Sequence, residues 1–457
     1  MTALFVLFIL EIFVFLLALF INKIDLLSPS VVVCMVFVFT IGLAVFYHEN
    51  WYAVKSFSWI ACLIIVSGSL IFVLVDYVVL HFIVKNKTQR LYLNKGRDLF
   101  DINNHKIIII CIIDSVILFM FYRFRLHIVS LYNAMSAYGT ATDAAAYRAL
   151  YGHDTVVADE DQMSFFLRYS LYFMQATAYV FILPFVYNVL IKKNKFINNM
   201  KYLVPPVLFC IYSFMCGSRI DLLKLVISGF FMFYVLFLKN VGWTRKNIRQ
   251  LAVKGSKIAT LILVLFFFLS SLIGRSALDG SVFDSFIAHL AGYAGAPVIF
   301  FSQFILDPIT SNVVGEECFT NFFSFLHRWG LSDLVRTGHL EYRHLTGGII
   351  GNVYTFFRSP IADYGIIGMY IFTTFVSIFF SVYYYRKIKY ANYLKKDRFC
   401  KNLVIYSVFF QWISFASINQ LSSTFVSISF LIIILFVLII YDFCYCLDTK
   451  SFILKRR

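Results

Sequence analysis

The chain has 457 residues, 61% hydrophobic and 14% charged, against roughly 45–50% and ~25% in soluble domains, so no single water-soluble core absorbs it. Its formal net charge is +16, but most Lys and Arg fall in short stretches between apolar runs, which makes the basic balance a topology signal and removes the nucleic-acid reading. Nine cysteines with no CxxC pair support neither a disulfide framework nor a zinc site.

Eleven apolar segments follow one another, at about 2–21, 29–47, 57–82, 107–126, 165–191, 202–217, 220–238, 258–274, 361–385, 403–420 and 424–446. At 1.5 Å per residue, runs of about 20 residues match the roughly 30 Å hydrocarbon layer. A bilayer offers no partner to unpaired backbone groups, so the segments are helices or barrel strands, and strands need only about 9–11 residues. The expected fold is an all-α polytopic membrane protein of about 11 transmembrane helices, a single integral membrane domain over residues 1–457. Residues 2–21 lack a basic n-region and a small-residue cleavage site, and read as a retained first span.

The stretches 83–106, 192–201, 239–257 and 386–402 and the tail 447–457 carry the dense basic sets, mostly Lys. The positive-inside rule assigns them to the cytoplasm. Alternation then makes the N-terminus external and the C-terminus internal, with two sizeable external loops, 124–164 and 275–360, the larger between the eighth and ninth spans. The remaining cations are sorted by type. On the outer side lie Arg123, Arg125, Arg148, Arg168, Arg219, Arg275, Arg328, Arg336, Arg343 and Arg358, with only Lys55 and Lys224 as lysines. Either Lys is kept off that side because it competes with the topology signal, or guanidinium groups gather there to fork onto an anion, which an ammonium point charge does less well.

In chain order, Glu11, Asp76, His81 and Asp114 are scattered over separate helices without the chain of acids expected of a proton relay. Cys216-Gly217-Ser218-Arg219-Ile220-Asp221 is a tight external hairpin. Its Arg219 and Asp221 are either a local ion pair at the interface or a pyrophosphate-facing cation with its orienting carboxylate. The run 286–301 is apolar but interrupted by Gly292, Gly295 and Pro297, so it is expected to lie broken in the interface rather than to span. Tyr293 stands out there as a sugar contact, although aromatics at that depth also form interfacial belts.

Farther on, His327, Arg328, Asp333, Arg336, His339, Glu341, Arg343 and His344 crowd into fewer than twenty residues. Singly each reads as a solvated loop residue; together they supply a base for an acceptor hydroxyl and fixed cations for a departing phosphate. Arg358 and Asp363 follow at the entry of the next span, either paired to each other or facing the cavity of the Arg219 hairpin. No His–carboxylate cluster at helical spacing suggests a metal.

Three stretches together carry a family resemblance: Gly217-Ser218-Arg219; Gly292-Tyr293-Ala294-Gly295-Ala296-Pro297 with Phe300-Phe301; and Asn352-Val353-Tyr354-Thr355 followed by Arg358, Asp363, Gly365 and Gly368. They resemble the Wzy-type O-antigen or oligosaccharide repeat-unit polymerases, over about residues 200–385 in motifs. The resemblance implies a GT-C-like, metal-independent membrane glycosyltransferase of the bacterial inner membrane that needs no cofactor. It would move a growing glycan from undecaprenyl pyrophosphate to the non-reducing end of the next lipid-linked repeat unit, at the periplasmic face, with a flippase and a chain-length regulator of the same pathway as partners. Carried over, it assigns Arg219, Arg275, Arg343 and Arg358 to the pyrophosphate and His344, His339 or Glu341 to acceptor activation. Asn352, Tyr354 and Tyr293 take sugar contacts, and Asp221 and Asp363 orient arginines. An O-antigen ligase or a lipid-linked oligosaccharide flippase is the alternative.

Overall fold

The computed structural model describes residues 2–51, 57–83, 100–135, 147, 161–253, 255, 257, 282–333, 340–345, 349–391 and 396–445. In chain order the helices are α1 (Thr2–Ile21), α2 (Pro29–Tyr47), α3 (Trp59–Val78), α4 (Asn104–Met135), α5 (Phe165–Phe185), α6 (Val204–Met215) and α7 (Arg219–Val241). After these come α8 (Val282–Leu290), α9 (Ala296–Leu306), α10 (Thr320–Arg328), α11 (Arg358–Tyr383), α12 (Lys396–Ser414), the single turn α13 (Ser422–Phe425) and α14 (Ile428–Tyr445). The described strands are β1 (Arg343–Leu345) and β2 (Ile349–Gly351), an antiparallel pair with His344 opposite Ile350. Nine helices among the described residues are long and apolar enough to cross a membrane, so the chain is an all-helical, multi-pass membrane protein.

Local chemistry sets the helix starts. Pro29 opens α2 after Ser28, a position where its missing N–H costs nothing. Ser58 Oγ accepts from Ala61 N at the start of α3, and Ser164 Oγ accepts from Leu167 N at the start of α5. In α11 the backbone at Gly365 takes φ 68° and ψ −176°, a region essentially restricted to glycine, so the first two turns are angled against the long spanning part.

The helices alternate in direction, which gives the bundle two ends. The lysine-rich end joins α1 to α2, α5 to α6 and α11 to α12; the opposite end holds the α6–α7 hairpin, α10 and the α12–α14 connection. At the lysine-rich end Lys389 Nζ lies 2.7 Å from Asp25 Oδ2, and Tyr234 OH and Tyr384 OH donate to the same carboxylate at 3.1 and 2.9 Å. A buried charge is tolerable only with such partners, so this lysine is a latch between α1, α7 and α11. Asp114 accepts from Thr177 Oγ1 at 2.8 Å, tying α4 to α5.

Several expectations are corrected. Helix α4 continues to Met135, so the outer loop expected from 124 begins as helix. The expected span 202–217 is only 12 helical residues long as α6, behind a tight turn at Ile197–Leu203. The span expected at 403–420 is α12, which begins earlier, at Lys396, and ends at Ser414. It is walled in by neighbours, with Leu403, Val404, Tyr406, Phe410 and Ile413 all buried, so it needs no lipid-matching run. The expected span 258–274 lies outside the described residues. Residues 286–306 form one of the nine apolar helices rather than a broken stretch, joined through a π-turn at Ala291–Gly295. Gly295 nevertheless packs on Ala44 and Trp51, and Ser302 Oγ accepts from Ser58 N at 2.8 Å. Those partners sit where α2 ends and α3 begins, so residues 295–302 run across the end opposite the lysines.

Candidate functional site

Two groups of ionisable side chains sit at that opposite end, and they differ in kind. The first surrounds Arg358, the first residue of α11. Its guanidinium is ion-paired with both Glu317 and Glu341, lies 4.7 Å from the Phe304 ring centre and 5.1 Å from that of Tyr354, and is 1% exposed. Tyr354 OH donates to the Glu341 carbonyl at 2.9 Å. Arg343 donates to the carbonyls of Gln303 at 3.1 Å and Asp307 at 2.6 Å, with its Nε 3.6 Å from Glu341. Asp363 accepts from Ser311 Oγ at 2.6 Å, Glu317 N at 3.1 Å and Cys318 N at 2.7 Å. Burial pushes the Glu317 carboxyl up from its ordinary range, and the Arg358 charge only partly opposes this.

This geometry reassigns several expected site residues. Arg358 and Arg343 are engaged by carboxylates and carbonyls, so an incoming diphosphate would have to displace them. Glu341 spends its carboxylate on Arg358 and is not placed as a base. Asp363 orients the 311–318 turn instead of an arginine, because three donors there would otherwise be unpaired. Tyr354 is buried inside the cluster, and His344 projects exposed from β1. Tyr293 is half-buried against His289, ring centres 5.3 Å apart, and Asn352 is half-buried just past β2. His339 and Arg275, and the side chain of Arg219, lie outside the described residues.

The second group lines a cavity of about 710 Å³ between α5, α6, α7, α10, α12 and α14. Its basic groups are Arg168 from α5, Lys224 from α7 and His327 from α10. Tyr169, Tyr172 and Tyr212 supply ring faces, and Gln175, Asn321 and Gln411 supply amides. Lys224 Nζ donates to Asp221 Oδ1 at 3.1 Å, and Ser218 Oγ donates to Asp221 Oδ2 at 2.6 Å. Asp221 therefore positions a lysine one turn along its own helix, while the side chain of Arg219, its expected partner, lies outside the described residues. The floor is polar but closed: Gln411 Nε2 donates to Tyr179 OH at 3.0 Å and Ser228 Oγ at 2.8 Å, above the packed rings of Phe231 and Phe410. On one wall Tyr172 OH donates to Ser429 Oγ at 3.0 Å, joining α5 to α14.

His327 is held in a defined way. Its Nδ1 lies 2.8 Å from the Ser332 carbonyl oxygen. A carbonyl only accepts, so Nδ1 carries the proton, and in the neutral ring Nε2 keeps a lone pair for a proton from an acceptor. The cavity thus brings together two cations, of which Asp221 holds Lys224, an imidazole nitrogen with a lone pair and aromatic faces. Among the described residues no group of three His, Cys, Asp or Glu side chains is placed to hold a metal ion.

From the sequence Arg168 and Lys224 read as outer cations and His327 as part of a crowded loop, and none of the three stands out as a site residue. The signal was present: Lys224 is one of two lysines on a side otherwise kept to arginine, three residues after a carboxylate. Comparisons with protein-family models, with curated proteins and with solved structures find no match for this chain.

Proposed function

We propose that the protein is a membrane glycosyltransferase that polymerises lipid-linked oligosaccharide repeat units. The observation that carries this reading is the half-polar cavity at the end opposite the lysine-rich loops, where Arg168, Lys224 and His327 line one space with four tyrosines, Tyr147, Tyr169, Tyr172 and Tyr212. The lysine sorting orients that end toward the periplasm of a bacterial inner membrane. A polyprenyl diphosphate keeps its chain in lipid and its charges at the membrane surface, which suits a cavity bounded by membrane helices.

In this reading the acceptor sugar hydroxyl attacks the anomeric carbon of the donor glycan. Its proton passes to His327 Nε2 as the new C–O bond forms. The bond from the anomeric carbon to the diphosphate oxygen breaks, and Arg168 and Lys224 hold the departing negative charge. The tyrosines offer sugar-stacking faces, and Asp221 fixes the ammonium of Lys224.

The test is the surface polysaccharide of a strain that depends on this chain. Arg168→Ala, Lys224→Ala and His327→Ala should each remove long chains while a single capped repeat unit persists. Normal ladders from all three would reject the reading. Loss of the single unit as well would replace polymerase by ligase.

A further inference from the structure

A second feature lies at the other end of the molecule and does not depend on the glycan reading. Between α11 and α12 runs a trough of about 500 Å³ that opens toward lipid. Its apolar floor is Ile378, Phe379 and Val382, and its mouth carries Arg386, Lys387, Tyr383 and Asn402. From Ile378 to Arg386 the helix advances about 12 Å, close to the roughly 15 Å of hydrocarbon in one leaflet. The mouth lies at the lysine-rich end, where α11 passes into a π-turn at Tyr384–Lys389. That turn divides its cations. Lys389 turns inward and is spent on Asp25, whereas Arg386 and Lys387 are exposed at the mouth. Among the described residues neither of the two meets a carboxylate.

We infer that this trough binds one anionic phospholipid of the adjoining leaflet, its phosphate on Arg386 and Lys387 and an acyl chain along Ile378, Phe379 and Val382. In a bilayer any such trough fills with lipid chains, so the apolar floor by itself selects nothing. Selection comes from the mouth, where a guanidinium fork and an ammonium stand side by side and complement a net negative headgroup. Tyr383 and Asn402, joined by a long hydrogen bond from Tyr383 OH to the Asn402 carbonyl at 3.4 Å, stand beside the two cations.

The molecule contains its own comparison. A trough of about 600 Å³ along α4, floored by Ile108, Ile112 and Val116, has one cation at its mouth, Lys201. That ammonium already donates to Asn104 Oδ1 at 2.7 Å and stands 3.7 Å from Asp101. It is matched by the protein itself, so this second trough takes lipid chains without choosing a headgroup.

The experiment is native mass spectrometry of the purified full chain in detergent, titrated with phosphatidylglycerol or phosphatidylcholine. The expected result is a phosphatidylglycerol preference of about thirtyfold, the factor for two surface cations. It should vanish in Arg386→Gln/Lys387→Gln, survive in Arg386→Lys/Lys387→Arg and be untouched by Lys201→Ala. Ile378→Trp, which fills the floor, should weaken both lipids together. Equal retention of the two lipids by the unaltered chain, or a preference that survives the double Gln variant, would overturn the inference. Displacement of the lipid by millimolar inorganic phosphate would overturn it too, because that would make the site one for free phosphate.

Discussion

The Arg358 cluster and the Arg168–Lys224–His327 cavity occupy the same end of the bundle and use the same kinds of side chain, yet they do opposite work. Around Arg358 one guanidinium meets two carboxylates, stacks on two rings and is almost wholly removed from water. In the cavity the cations line about 710 Å³ of open space, and one of them has a single carboxylate partner. The lesson is that a cation's type does not reveal its task; whether its charge is already matched does.

The largest effect should come from unmatching the closed group. Arg358→Ala leaves the part-buried Glu317 without a counter-charge and Glu341 with only its 3.6 Å contact to Arg343, and is expected to cost about 3–5 kcal/mol, read as a lowered melting point in detergent. Replacing all three by apolar residues of similar size should cost much less, and an equal loss would mean that packing rather than charge holds the cluster. In the cavity, His327→Ala should lower glycan transfer by about 10²–10⁴-fold while melting stays unchanged. A matching fall in stability would erase the distinction between the two regions. Arg168→Ala should cut transfer by about ten- to a hundredfold, the worth of a charge-assisted bond. Arg168→Lys should recover only part of it if the fork matters.

Smaller effects test the joints. Gly365→Ala places a side chain where φ is 68°, and a strain of about 1–3 kcal/mol should appear in melting without changing the acceptor used. The Glu317 carboxyl, raised by burial, favours its protonated form on folding. Its contribution to stability is therefore fullest below its ordinary value of 4.5 and declines as pH rises through the raised folded value. Glu317→Gln should flatten that slope in a pH series of melting curves. An unchanged slope would show that another group sets it.

Much of the fold was legible from the chain because lipid imposes a simple rule: an apolar run of sufficient length must be a helix. That rule found α1 and α2 to the residue and α3, α5, α7 and α14 to within a few residues at their ends. It misread α12, whose first two turns carry Lys396, Arg398 and Lys401 and whose interior Ser407 and Gln411 are shielded by protein rather than lipid. For the candidate site, the sequence named cations and bases of the outer side but did not single out Arg168, Lys224 and His327, which the fold brings to one cavity. Arg358 sits beside Asp363 in sequence and was read with it, while its partners Glu317 and Glu341 are 41 and 17 residues away.

By itself, then, the sequence determined a multi-pass helical membrane protein with most of its lysines, and several arginines, in the stretches assigned to one side and nearly all-arginine cations assigned to the other, because hydrocarbon thickness and charge transfer act on local composition. Only the tertiary structure decided which cations are matched and which line open space. That depends on α5, α7 and α10 meeting around one cavity, and no spacing along the chain encodes the meeting of Arg168, Lys224 and His327.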